Sequence, residues 1–164
     1  MDSIDKFNKL SKAEFISIFG NIFEKTEWVA EKCYESKPYN NLDELVSKMM
    51  KIFENIEKER HLEILNSHPN LAVEKKLTED SKNEQKNASL NQCTDEEFLE
   101  FKKLNEEYKK KFGFPFIVAV KGKNKEEILN SFRQRITNNI NLEFEEAKKQ
   151  VKKIASFRLG EIIK

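Results

Sequence analysis

Phe112-Gly113-Phe114-Pro115-Phe116-Ile117-Val118-Ala119-Val120 is the longest apolar run in a very polar chain. Gly113 and Pro115 break its start, so the run cannot be one turn of an amphipathic helix. It must enter the core in an extended form and present backbone groups there. Buried N–H and C=O groups need hydrogen-bond partners, and a bound ligand is one kind of partner. The run is therefore the first place to look for a site.

On its N-terminal side the pattern is helical. Phe98, Phe101, Leu104, Tyr108 and Phe112 recur at three- and four-residue steps, with Lys and Glu filling the other face. Gly113 suits a left-handed cap at the end of that helix. Lys109-Lys110-Lys111 in its last turn complements the helix dipole and reads as a solvated helix end. Capping boxes, a polar residue followed three positions later by Glu, mark other helix starts: Ser11 with Glu14, Asn41 with Glu44, Thr94 with Glu97, and Asn124 with Glu127. Together these signals predict helices over 12–19, 27–35, 42–55, 57–66, 80–88, 95–112, 125–138 and 142–162. Gly20, Gly113 and Gly122 punctuate them, and Pro38, Pro69 and Pro115 fall between them. The expectation is all-α: a single domain over 1–164, about eight helices with one short extended apolar segment at about 114–120.

Composition narrows the function. Thirty Lys+Arg oppose 29 Asp+Glu for a net charge of +1, which argues against nucleic-acid or membrane binding driven by bulk charge. Thirteen Phe against 3 Tyr and 1 Trp imply a bulky core with few polar handles. Cys33 and Cys93 have neither metal nor disulfide-framework spacing. No stretch approaches transmembrane length. Met1-Asp2-Ser3-Ile4-Asp5 lacks the pattern of a signal peptide, and Glu161-Ile162-Ile163-Lys164 is no peroxisomal address. A cytoplasmic, reduced protein is expected.

A few polar residues break the pattern. His68 precedes Pro69, which biases it to extended geometry and ends the helix there. A histidine pinned at a helix end is either a capping or core residue or a general acid or base near neutral pH. His61 lies among charged residues and reads as exposed. Ser81 shares a helix face with Glu84 and Gln85, an arrangement that suits either a polar ligand or an ordinary helix start capped by Ser81 or Thr78. Arg158 falls on the inner stripe of the last helix, with Ala147, Val151, Ile154, Ala155, Leu159 and Ile162. An arginine keeps its charge, so burying it requires an anionic or multi-acceptor partner, either a protein carboxylate or a ligand. Snorkelling along the helix edge is the alternative.

In their order, these pieces make the chain resemble the 2-oxo-4-hydroxy-4-carboxy-5-ureidoimidazoline (OHCU) decarboxylase family of urate degradation. The residues that carry the resemblance are Ser67-His68-Pro69-Asn70-Leu71-Ala72, Ser81 with Glu84-Gln85, and Phe112-Gly113-Phe114-Pro115-Phe116. Gly122, Glu126-Glu127-Ile128-Leu129 and Ile154-Ala155 with Arg158-Leu159 complete it, and the likeness runs from about Leu10 to the C-terminus. The chain departs from the family at Asn70, where Asp is usual, at Ser89, where Gly is usual, and at Lys121 and Lys123, where Arg is frequent. The resemblance implies an all-α, cofactor-free and metal-free decarboxylase, commonly a homodimer, acting on a small ureidoimidazoline to give (S)-allantoin. It implies His68 as the catalytic proton-transfer residue and Glu84 as its carboxylate partner. Pro69, Ser81, Gln85, Phe116, Ile117, Val118, Ala119, Val120 and Arg158 are implied as the substrate-binding set. A non-enzymatic helical interaction module, and an enzyme for a related ureido compound, are the competing expectations.

Overall fold

Helix starts follow the capping chemistry. In the computed structural model, which describes residues 3–72 and 78–163, the side chains of Ser11, Asn41, Thr78, Thr94 and Asn124 each accept from the backbone N–H three residues on. At Ser11, Thr94 and Asn124 the Glu of the box answers with a bond back to the cap residue's own N–H. Glu44 instead reaches one residue further, to the Asn40 N–H at 3.2 Å.

The described residues contain nine α-helices and no strand. They are α1 (Ser3–Asn8), α2 (Lys12–Phe19), α3 (Glu27–Glu35), α4 (Leu42–Glu54), α5 (Lys58–Asn66), α6 (Glu79–Asn87), α7 (Asp95–Phe112), α8 (Lys125–Arg135) and α9 (Ile140–Ile162). A 3-10 turn at Leu90–Gln92 lies between α6 and α7. The short α1, which buries only Ile4 and Phe7 among its described side chains, has too few positions to show a period and was not expected. α8 ends at Arg135, before the expected 138, because the N–H groups of Thr137 and Asn138 bond three residues back, to Gln134 and Arg135. No described helix is long and apolar enough to cross a membrane.

The chain divides into two compact units. The first comprises Met1–Ile64 and Lys152–Lys164. In it α2 packs on α3 and α3 on α4, around Phe7, Phe15, Phe19, Phe23 and Phe53. The rings of Phe23 and Phe53 stack with centroids 5.0 Å apart. His61 corrects the expectation of an exposed residue: it is 5% exposed, with Nε2 2.7 Å from the Phe53 carbonyl oxygen. Its place on α5 explains this, since it stands three and four residues before the buried Ile64 and Leu65.

The second unit is Leu65–Val151. Tyr108 stands at its centre, with the rings of Phe112, Phe114, Phe116 and Phe132 around it at 4.5–6.0 Å. Gly113 ends α7 with φ 82, the left-handed cap expected of it. Pro115 to Val120 then pass through the core outside any helix or strand, every residue buried. The Phe116 ring lies flat on Phe132, at 3.9 Å and 8°. Ser89 is held at φ 62. Such a conformation suits glycine and strains serine.

Candidate active site

α5 ends at Asn66, and the His68 N–H bonds back to the Leu65 carbonyl at 3.2 Å. Pro69 has no N–H to continue the helix. His68 is only 9% exposed. The turn that follows is held by two side-chain amides. Gln85 accepts from the Ala72 N–H at 3.0 Å and donates to the Asn70 carbonyl at 3.4 Å. Asn105 donates to the Leu71 carbonyl at 3.0 Å. Three consecutive residues therefore have a backbone group tied to α6 or α7.

On α6, Ser81 and Gln85 are buried on one face and Glu84 is half-buried beside it. Thr78 is the helix cap and accepts from the Ser81 N–H at 3.2 Å. The ordinary capping role thus belongs to Thr78. Gln85 and the His68 turn are joined by hydrogen bonds, so this part of the expected constellation converges in the second unit.

The apolar segment has partners of two kinds. Ala119 N–H donates to Gln150 Oε1 at 2.9 Å, and the Val120 carbonyl accepts from the Lys123 N–H at 3.0 Å. The Ile117 carbonyl accepts from Arg135 Nη1 at 2.6 Å. Arg135 also lies over the Phe116 ring, 4.4 Å from its centroid, and donates through Nε to Glu143 at 2.9 Å. Glu143 is fully buried and accepts in addition from the Tyr108 hydroxyl at 2.6 Å and Asn138 Nδ2 at 2.9 Å. Burial, and then the bond to Glu143, push the Tyr108 phenol well above the ordinary tyrosine range. Among the described residues, no protein group bonds to the N–H or C=O of Val118, which is 4% exposed. A buried peptide unit of this kind can pair with a ligand edge.

Arg158 lies in the first unit and is 5% exposed, so of the two readings open to it on the α9 stripe it is buried and does not snorkel. Its Nη2 pairs with Glu24 Oε2 at 2.9 Å and its Nη1 donates to the Asn21 carbonyl at 2.7 Å. Of the two kinds of partner foreseen for a buried arginine, a protein carboxylate is present. Among the described residues no group of three or more His, Cys, Asp or Glu side chains is arranged to hold a metal.

Sequence reasoning passed over Asn105, Tyr108 as a polar group, Arg135, Glu143 and Gln150. The signal was there in the helical spacing. Asn105 stands four residues after Phe101 and three before Tyr108, and Arg135 three after Phe132. Each is a polar residue on an apolar stripe, the anomaly that singled out Arg158.

A family model described as OHCU decarboxylase matches residues 8–160. The chain is 41% identical over 164 residues to the uric acid degradation bifunctional protein of Bacillus sp. (strain TB-90), covering 100% of this chain but 33% of that protein. It is 35% identical over 159 residues to the 2-oxo-4-hydroxy-4-carboxy-5-ureidoimidazoline decarboxylase of Haloferax volcanii, covering 97% of this chain and 95% of that one. Among solved structures, (S)-allantoin synthase superposes with a TM-score of 0.81 at 28% identity, covering 100% of this chain and 54% of that one. The chain thus spans about a third of the Bacillus protein and about half of the solved one.

Proposed function

The chain belongs to the OHCU decarboxylase family, and on that premise we propose that it converts OHCU to (S)-allantoin without a cofactor, using His68 to transfer a proton. The observation that carries this reading is the buried His68 in a turn clamped by Gln85. A proton-transfer residue must be held in place, and a histidine changes charge near neutral pH.

The chemistry asks little of a cofactor. OHCU bears a carboxylate and a hydroxyl on one ring carbon, beside a carbon doubly bonded to nitrogen. When the bond to the carboxylate breaks, its electron pair flows into the C=N system and the ring nitrogen takes a proton. The hydroxyl then loses its proton as its carbon becomes a carbonyl, and the neighbouring carbon gains one. In this reading His68 exchanges the hydroxyl proton. Glu84 orients the ureido and ring N–H groups, with Pro69, Ser81 and Gln85 around them. The backbone of Phe116 to Val120 lies along the flat ring, where the Val118 peptide offers one donor and one acceptor. Protonation from one face then yields a single enantiomer.

The test follows circular dichroism over time, with OHCU generated in place from urate by uricase and hydroxyisourate hydrolase. OHCU decays unaided to racemic allantoin, so only an enzyme gives a rapid rise of the (S)-allantoin band. That rise is expected with the wild-type protein and is lost in His68→Ala, which stays folded. A wild type that merely matches the racemic decay would overturn the proposal.

A further inference from the structure

We propose that Asn105 is a positioning residue for His68, holding the turn that carries the imidazole by one buried hydrogen bond. The inner face of α7 is otherwise apolar or aromatic: Phe101, Leu104, Tyr108 and Phe112 are all buried there. Asn105 sits among them at 4% exposure. Its Nδ2 donates to the Leu71 carbonyl at 3.0 Å, while its Oδ1 is buried with no hydrogen-bond partner among the described residues. The direction of the amide is set by chemistry, since turning it over would bring Oδ1 against a carbonyl oxygen.

An orphaned buried acceptor is destabilising, whereas leucine has nearly the same shape and no polar group to satisfy. Core packing alone therefore gives no reason for an asparagine. The turn does. Ala72 is held at φ 65, a left-handed conformation that alanine adopts only when its surroundings impose it. Gln85 secures the residues on either side of Leu71, at the Asn70 carbonyl and the Ala72 N–H. Asn105 secures Leu71 itself. Pro69 restricts His68 from the other direction, so Asn70 to Ala72 are where the turn would otherwise give way. Releasing Leu71 would let His68 drift while the helices on either side stayed packed. Catalytic groups lose rate steeply with such displacements.

The protein has only two histidines, so a ring-labelled sample gives two resolvable imidazole signals, with His68→Ala assigning them. In Asn105→Leu the His68 signal is expected to shift or broaden while that of His61 stays, and thermal stability changes little, since losing the orphaned Oδ1 offsets leaving the Leu71 carbonyl unpaired. If the proposed reaction holds, kcat for OHCU falls by about 10- to 100-fold, with KM changed much less. A folded Asn105→Leu with an unmoved His68 signal and wild-type kcat would overturn the inference. Should leucine prevent folding, Asn105→Ala is read in the same way. The wild type supplies an independent check, because the Asn105 Nδ2 proton bonded to Leu71 must exchange slowly with solvent; rapid exchange would also sink the idea. The imidazole spectrum needs no substrate. A wild type that fails to decarboxylate OHCU therefore refutes the reaction without deciding the role of Asn105.

Discussion

Glu24 and Glu143 are both fully buried, and each holds an arginine. The work they do differs. Glu143 gathers Arg135, Tyr108 and Asn138, and through Arg135 it steadies the Ile117 carbonyl. Glu24 pairs with Arg158, which also donates to the Asn21 carbonyl. Two charges out of water are tolerable only together, because each supplies the solvation the other has lost. Glu24→Ala is therefore expected to cost about 3–5 kcal/mol in urea unfolding, the range seen when one partner of a buried pair is removed. Replacing Glu24 and Arg158 together by methionine should recover most of that loss. A single variant with wild-type stability would show that the pair is not held out of water.

At the scale of the element, two left-handed positions have opposite occupants. Gly113 closes α7 at φ 82 with open space where a Cβ would stand, so Gly113→Ala meets backbone strain and no clash. The expected loss is roughly 1–2 kcal/mol, the cost of that conformation for an L-residue. Ser89 already bears such strain at φ 62, and Ser89→Gly relieves it while adding chain entropy to the unfolded state. Its stability should therefore equal or exceed the wild type. Paired thermal melts check the contrast, and a Gly113→Ala protein as stable as the wild type would refute it. These helix ends were readable because a cap is a local event. A polar side chain and the N–H three residues on decide it, as at Ser11, Thr94 and Asn124.

At the scale of the whole molecule, each unit buries a phenol. Tyr39 in the first and Tyr108 in the second are pushed up chiefly by burial. A group whose pKa is raised on folding keeps its proton after the unfolded chain has lost it. Its contribution is therefore complete below the unfolded tyrosine value of about 10 and is lost as pH rises beyond it. Tyr108→Phe should be about 1 kcal/mol less stable at neutral pH, having lost the bond to Glu143. Its stability should also fall less steeply than that of the wild type above about pH 10. Urea midpoints between neutral and alkaline pH decide this, and parallel slopes would refute it. What the sequence by itself determined was local or periodic: the all-α class, the helix starts, the Gly113 cap, the buried non-helical run and the place of Arg158 on an apolar stripe. Those depend on neighbours three or four residues apart. Tertiary structure alone decided that Arg158 faces Glu24, that His61 reaches the Phe53 carbonyl, and that Asn105 meets Leu71. Helical spacing shows that a polar side chain will be buried. Which distant residue satisfies it depends on how the helices pack, and the cost of leaving it unsatisfied makes that choice specific.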